Sequence, residues 1–221
     1  MINKNSLGMA LGFTAGYVDT VGFVALFGLF TAHVTGNFVL IGSELAQPSH
    51  GVLIKFMAFP AFVLAVALAR IVAVRLEASG KSAARALTGM QLLFLLVFMV
   101  LGYLSSPVQS TDAVLPVLAG IAGAAAMGVQ NAASRLVWTE LAPTTVMTGN
   151  VTQIVIDLVD ILRGSAAAGT KARLWKFLWP VLAFGVGAVG GAFAYLYLGF
   201  FSLGLPLLIL CVIWLAFSEP A

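Results

Sequence analysis

The sequence is poor in charge. Only 9% of its 221 residues are Asp, Glu, Lys or Arg, against 61% apolar residues and a mean hydropathy of +1.07. That balance excludes a soluble globular domain. Cysteine is nearly absent: Cys211 stands alone, so no intramolecular disulfide is available, and its apolar neighbours suggest a small buried hydrophobe. Two histidines, His33 and His50, with one cysteine are too few for a metal centre, and no metal or other cofactor is expected. There is no phosphate loop or nucleotide signature, which argues against a nucleotide-driven pump. No small-x-small cleavage site follows a short apolar region near the start, so the first helix is read as retained.

What the chain does have is long apolar runs. A bilayer core about 30 Å thick needs roughly 20 apolar residues per helix. Such runs cover Leu7 to Phe30, interrupted only by Asp19, then Val52 to Val74, Ala86 to Leu104 and Ala113 to Ser134. From Phe177 to Ser218 no residue is charged. As one helix that run would reach roughly 60 Å, so it is expected to split near "LGFFSLGLP" into two helices. The sequence thus predicts an all-α transmembrane protein with six helices in the lipid bilayer.

The net charge of +3 is arranged as a topology signal, not as a nucleic-acid surface, and no nucleic-acid partner is expected. Arg70, Arg75, Lys81 and Arg85 border the loop after helix two. Arg135, Arg163, Lys171, Arg173 and Lys176 lie between helices four and five. Loops 105–112 and 198–203 contain no Lys or Arg. By the positive-inside rule both termini are cytoplasmic. Trp138, Trp175 and Trp179 are expected near the interface.

The chain also repeats itself. At an offset of 112 residues, Gly8, Gly12, Gly16 and Asp19 fall on Gly120, Ala124, Gly128 and Asn131. One residue further, "TGNFVLIGSEL" aligns with "TGNVTQIVIDL", and "KFMAFP" at 55–60 echoes "KFLWP" at 176–180. Residues 1–107 and 108–221 are therefore two three-helix repeats. An odd helix count inverts the second copy relative to the membrane, an arrangement common in transporters whose site lies where the halves meet. A duplicated scaffold that conducts nothing has the same pattern.

"AGYVDTVGF" followed by "HVTGN", and "GVQNAASR" followed by "TTVMTGN", resemble the signatures of the YoaK-like small integral membrane proteins, a bacterial family of unknown function. The likeness covers nearly the whole chain. It implies a six-helix protein of the bacterial inner (cytoplasmic) membrane and brings no substrate or catalytic residue with it.

Among the residues themselves, the glycines of helix one recur every four positions and form a face for close helix packing that Asp19 and Thr20 continue. If this face meets its counterpart in helix four, Asp19 and Asn131 become neighbours at a pseudo-twofold axis. An intramembrane acid marks a proton relay, an ion pathway or a paired site. Asp19 is accordingly read as a proton carrier or as a structural carboxylate bonded across the interface.

Each TGN, residues Thr35, Gly36 and Asn37 and then Thr148, Gly149 and Asn150, opens a segment too short to span. Its Thr and Asn suit the free amides of a helix start, so two short helices are expected, either re-entrant or interfacial. If re-entrant, their N-termini face a shared polar cavity and favour an anion or a polar oxygen. Glu44 and Asp157 lie on equivalent helix faces as gating or solvated charges, with Asp160 near the second.

These features lead to a functional expectation. The chain is read as a secondary transporter of a small polar solute or ion, proton-coupled through Asp19, with Thr20, the TGN residues, Gln130 and Asn131 as substrate contacts. A passive channel and a membrane scaffold are the alternatives. Enzymatic activity is not expected, because a second intramembrane Asp for an aspartyl-protease pair is missing. The glycine faces equally suit a homodimer, which no residue specifies.

Overall fold

The computed structural model describes residues 3–47, 51–110 and 113–217. Among these residues all regular structure is helical. In chain order come α1 (Lys4–Ala25), a short α2 (Gly36–Ala46), α3 (Val52–Ala78), α4 (Ala84–Leu104) and α5 (Val114–Leu136). A second short helix α6 (Met147–Leu162), then α7 (Thr170–Leu198), a 3-10 turn (Gly199–Leu203) and α8 (Gly204–Ala216) complete the order. Five segments are long and apolar enough to cross a membrane, with Thr170–Ala216 taken as a single run.

Two boundaries differ from the sequence reading. The first helix stops at Ala25, short of Phe30, because Phe27 and Gly28 both take positive φ (53° and 82°). The Gly28 N–H then reaches back to the Phe23 carbonyl at 2.9 Å, a Schellman-type ending that turns the chain out of the helix. At the other end, the 42-residue uncharged run does break where expected, at Gly199 (φ 55°). However, α8 has only 13 residues, about 20 Å of rise, well short of a full bilayer crossing. The aromatic turn before it is buried: Phe200 packs edge-on against Phe98 and Tyr195, and the Tyr17 hydroxyl donates to the Ser202 carbonyl at 2.9 Å.

The glycine faces pack closely, but against different partners from those expected. The α1 face meets α7 and the α5 face meets α3; α1 and α5 touch elsewhere, at Leu11 and Gln130, while Asp19 bonds the first loop and Asn131 the second. A methyl group on Gly12 would stand 2.7 Å from the Pro180 carbonyl oxygen, and one on Gly191 the same distance from that of Tyr17. Backbone therefore touches backbone from both sides, which only glycine permits. The reason for the exchange is that periodicity identifies a face without naming what it faces. Similarly, Cys211 is exposed, not buried, because α8 turns Pro206, Leu210 and Ile213 inward and leaves Cys211 on the opposite face. Trp175 and Trp179 stack on the outside of α7, whereas Trp138 is buried at the end of α5.

Candidate functional site

Two non-helical loops, residues 26–35 after α1 and 137–146 after α5, carry most of the polar side-chain contacts in the apolar interior. Backbone outside a helix has no internal partner for its N–H and C=O groups, and in an apolar surrounding each orphan costs free energy. Buried side chains supply those partners, and the TGN asparagines are among them.

Asn37 is buried and pairs with the backbone of Phe30, seven residues earlier. Its Oδ1 accepts from the Phe30 N–H at 2.9 Å and its Nδ2 donates to the Phe30 carbonyl at 2.8 Å. Asn150, also buried, does the same to the residue seven before it, donating to the Pro143 carbonyl at 2.7 Å. Proline has no N–H, so the second clasp has one bond where the first has two.

The TGN residues therefore do not cap their helices as expected. Neither N-cap residue, Thr35 nor Val146, makes a side-chain capping bond, and α6 begins at Met147, which puts Thr148 and Asn150 inside it. The first amides of α2 are taken by turn carbonyls: Gly36 by His33, Asn37 by Val34 and Phe38 by Thr35. With those donors occupied, α2 offers no open anion site. Thr35, Thr148 and Gly149 are exposed and Gly36 is half-buried.

Asp19 holds the first loop against α1. Its Oδ1 accepts from the backbone N–H groups of Thr31 (2.7 Å) and Ala32 (2.6 Å) and from the Thr31 hydroxyl (3.3 Å). Its Oδ2 lies 2.6 Å from His33 Nδ1. Three donors on one oxygen leave no room there for a proton. With the acid ionised, Oδ2 accepts from His33 Nδ1, which then carries the hydrogen. Asp19 is buried, but the His33 side chain is 36% exposed, set edge-on between Phe30 and Phe184, and its Nε2 has no partner among the described residues. Thr20, next in sequence, is half-buried and makes no side-chain hydrogen bond among the described residues.

The equivalent position in α5 is neutral. Asn131 donates to the Thr145 hydroxyl at 2.7 Å, one bond where Asp19 makes four. Gln130, expected at the site, turns away from it. Its Nε2 donates to the Leu11 carbonyl (2.8 Å) and the Thr144 hydroxyl (3.0 Å), and its Oε1 accepts from Gln91 (2.7 Å). This fully buried strut ties α1, α4 and α5 to the second loop.

Between the two loops lies a cavity of about 380 Å³. His33, Thr35, Asn131, Thr145 and Thr148 supply its polar groups, and Phe59, Phe62, Val63 and Met147 are prominent in its apolar wall. Asp19 stands behind His33 and does not line it.

Each short helix is tied to the long helix that follows by an ion pair. Glu44 of α2 pairs with Lys55, which also donates to the Phe27 carbonyl at 2.7 Å. Asp157 of α6 accepts from Arg173 at 2.7 and 3.0 Å and from Gln153 at 2.8 Å. Lys55 and Arg173 both stand fourth in their helices. Neither acid is a solvated charge. The Arg173 guanidinium, opposed by burial and helped by the Gln153 amide, holds the Asp157 carboxyl below its ordinary value.

His33, Gln91, Thr144, Lys55 and Arg173 were not singled out from the sequence as site or strut residues. Gln91, as the lone carboxamide of an apolar span, carried a usable signal. Among the described residues no group of three or more His, Cys, Asp or Glu comes together, and His50 lies outside them.

The comparisons with known proteins agree with this membrane architecture. The family described as "Protein of unknown function (DUF1275)" matches residues 7–216. The chain belongs to this family. It is also similar to the UPF0700 transmembrane protein YoaK of Bacillus subtilis (strain 168), at 28% identity over 159 residues, covering 70% of this chain and 67% of the relative. No solved structure matches. The chain is a YoaK-like transmembrane protein, as the AGYVDTVGF and TGN motifs implied.

Proposed function

We propose that the protein is a secondary transporter of a small polar solute or ion in the bacterial cytoplasmic membrane, coupled to protons through the Asp19–His33 pair. The observation that carries this reading is the pair itself. A buried carboxylate that accepts three hydrogen bonds on one oxygen holds, through the other, an imidazole whose second nitrogen has no partner among the described residues and whose ring lines a polar cavity. The sequence reading made Asp19 the proton carrier. In this arrangement Asp19 is the positioning group, and His33 takes up and releases the proton while Asp19 balances its charge. No other ionisable group among the described residues contacts His33: α1 presents Asp19, α7 presents Phe184, and the loop presents Phe30.

Two inverted three-helix repeats provide the frame. In their favour, α1 packs on α7 just as α5 packs on α3, and the asparagine clasp and the ion-pair tie each occur twice. The loops fold back along α1 and α5, so the short helices are re-entrant, with the first loop beside Phe184 near the centre of α7 and the second facing Phe62 and Val63 of α3 across the cavity. Non-helical backbone at that depth is tolerated where it lines a cavity. Lys4 pairs with Glu140, Lys4 and Lys176 line one surface pocket, and Arg85 stacks 4.2 Å over Trp214, which favours a common cytoplasmic face for these ends. Single cysteines replacing Lys81 and Gln109 in a Cys211→Ser background should label from opposite faces; labelling from one face rejects the topology.

The function is tested in proteoliposomes that enclose a pH-sensitive dye. Inward gradients of small solutes are imposed one at a time. A transported solute should acidify the lumen with the wild type and fail to do so with His33→Gln. Acidification that survives in His33→Gln, or its absence for every solute with well-folded wild type, contradicts the reading.

A further inference from the structure

The cavity has an unusual charge balance for a membrane site. No Lys, Arg, Asp or Glu lines it. His33 is its one ionisable group, and any charge that His33 acquires is matched by Asp19 directly behind it. With His33 protonated the pair is neutral overall, so an ion entering would find no uncompensated charge, and burying an unpaired ion in apolar surroundings is strongly unfavourable. The attraction for anions expected of the short-helix N-termini is missing on α2, where the first amides already bond to turn carbonyls. The attraction for cations expected of Asp19 is cancelled when His33 is protonated, and Asp19 itself does not line the cavity.

What remains open in the cavity is hydrogen-bonding capacity. The Thr35 and Thr148 hydroxyls, Asn131 Oδ1 and His33 Nε2 have no partners among the described residues. His33 Nε2 accepts when the ring is neutral and donates when it is protonated, so protonation inverts what one wall asks of a ligand and takes the Asp19–His33 pair from net −1 to neutral. The volume of about 380 Å³ is at the small end for ligand pockets.

We infer that this cavity takes a small uncharged solute bearing hydroxyl or amide groups, held between His33 and Asn131, and that with His33 protonated it rejects ions of either sign. The inference rests on the reading of the cavity as the substrate site. It narrows "polar solute or ion" to one class. Asn131 is then a binding residue, and as the neutral counterpart of Asp19 it brings no charge that would demand a cation.

The test is protection of a cysteine in the cavity wall. Thr148→Cys in a Cys211→Ser background is alkylated by a small maleimide, with Ser82→Cys as a control on a surface loop. The probes are isosteric sets that differ in charge: lactamide, lactate and 1-amino-2-propanol, then acetamide, acetate and ethylammonium. A neutral member should slow alkylation of Cys at 148 severalfold and saturably, leave position 82 unaffected, and lose its effect in Asn131→Leu and in Thr145→Val. Protection by a charged member and not by its neutral partner overturns the inference and leaves the transporter reading standing. Failure of every probe overturns it as well. Neutral protection without solute-driven proton flux upholds the cavity's selectivity and removes the transporter.

Discussion

The two loops of this protein are built to one plan and equipped differently. After α1, residues 26–35 are clasped by Asn37 through two bonds, pinned by Asp19 through four, and carry His33. After α5, residues 137–146 are clasped by Asn150 through one bond to Pro143 and pinned by Asn131 through one, and Val146 stands where the first loop has His33. What the halves share is the apparatus that satisfies non-helical backbone in an apolar setting. What differs is the buried acid–imidazole pair, found at the first loop. The comparison separates scaffold from function within a single chain.

The ion-pair ties allow the comparison to be pressed hardest. Lys55 is 1% exposed while Arg173 is about half exposed. Lys55→Met strands Glu44 and frees the Phe27 carbonyl, and should cost about 3 kcal/mol of unfolding free energy in detergent. Adding Glu44→Gln should recover much of that loss. No recovery would show that Lys55 acts through packing instead of charge.

Next come the clasps. Asn37→Ala orphans both an N–H and a carbonyl, about 3 kcal/mol, whereas Asn150→Ala orphans one carbonyl, about 1.5 kcal/mol. Equal losses in a denaturant titration would break the distinction that Pro143 creates. Transplanting the chemistry sharpens it further. Asp19→Asn should abolish proton coupling, and adding Asn131→Asp alone should not restore it. Adding Val146→His as well supplies the missing imidazole, and partial recovery of coupling is then expected. Recovery in the double variant would show that His33 is dispensable.

The smallest effect lies at the surface. Lys4 holds the Glu140 carboxyl below its ordinary value, so the pair stabilises above the usual glutamate range and ceases to as pH falls through the lowered value. Both side chains are largely exposed. Glu140→Gln should therefore produce a slight loss near neutral pH, read as a melting shift, and none in acid.

Much of this was legible in the sequence. Apolar runs located the long helices, the repeated TGN marked two special segments, and Asp19 stood out as a charge in an apolar span. The partners were harder to read. Glycine spacing defined a face on α1 but not that α7, over 160 residues away, would cover it. Asn37 looked like a capping residue because capping acts over two or three residues, yet its partner is a loop residue seven back, a contact with no helical or strand period. His33 was weighed only as a metal ligand. Its role depends on the chain reversing at Phe27 and Gly28, so that residue 33 returns beside residue 19. Lys55 aligned with Lys176 by sequence, but the ion-pair geometry makes Arg173 its counterpart, because helix starts set the register and local word matches do not.

The central claim is that Asp19 fixes His33 through Nδ1 and leaves Nε2 to the cavity. Nitrogen-15 NMR of imidazole-labelled protein tests it directly, with His50→Gln to assign the signal. The account predicts an Nδ1–H tautomer for neutral His33 in the wild type. In Asp19→Asn the loop amides should keep the side-chain oxygen, turn its NH2 toward Nδ1 and force the proton to Nε2. An Nε2–H tautomer in the wild type, or one unchanged by Asp19→Asn, would contradict the account.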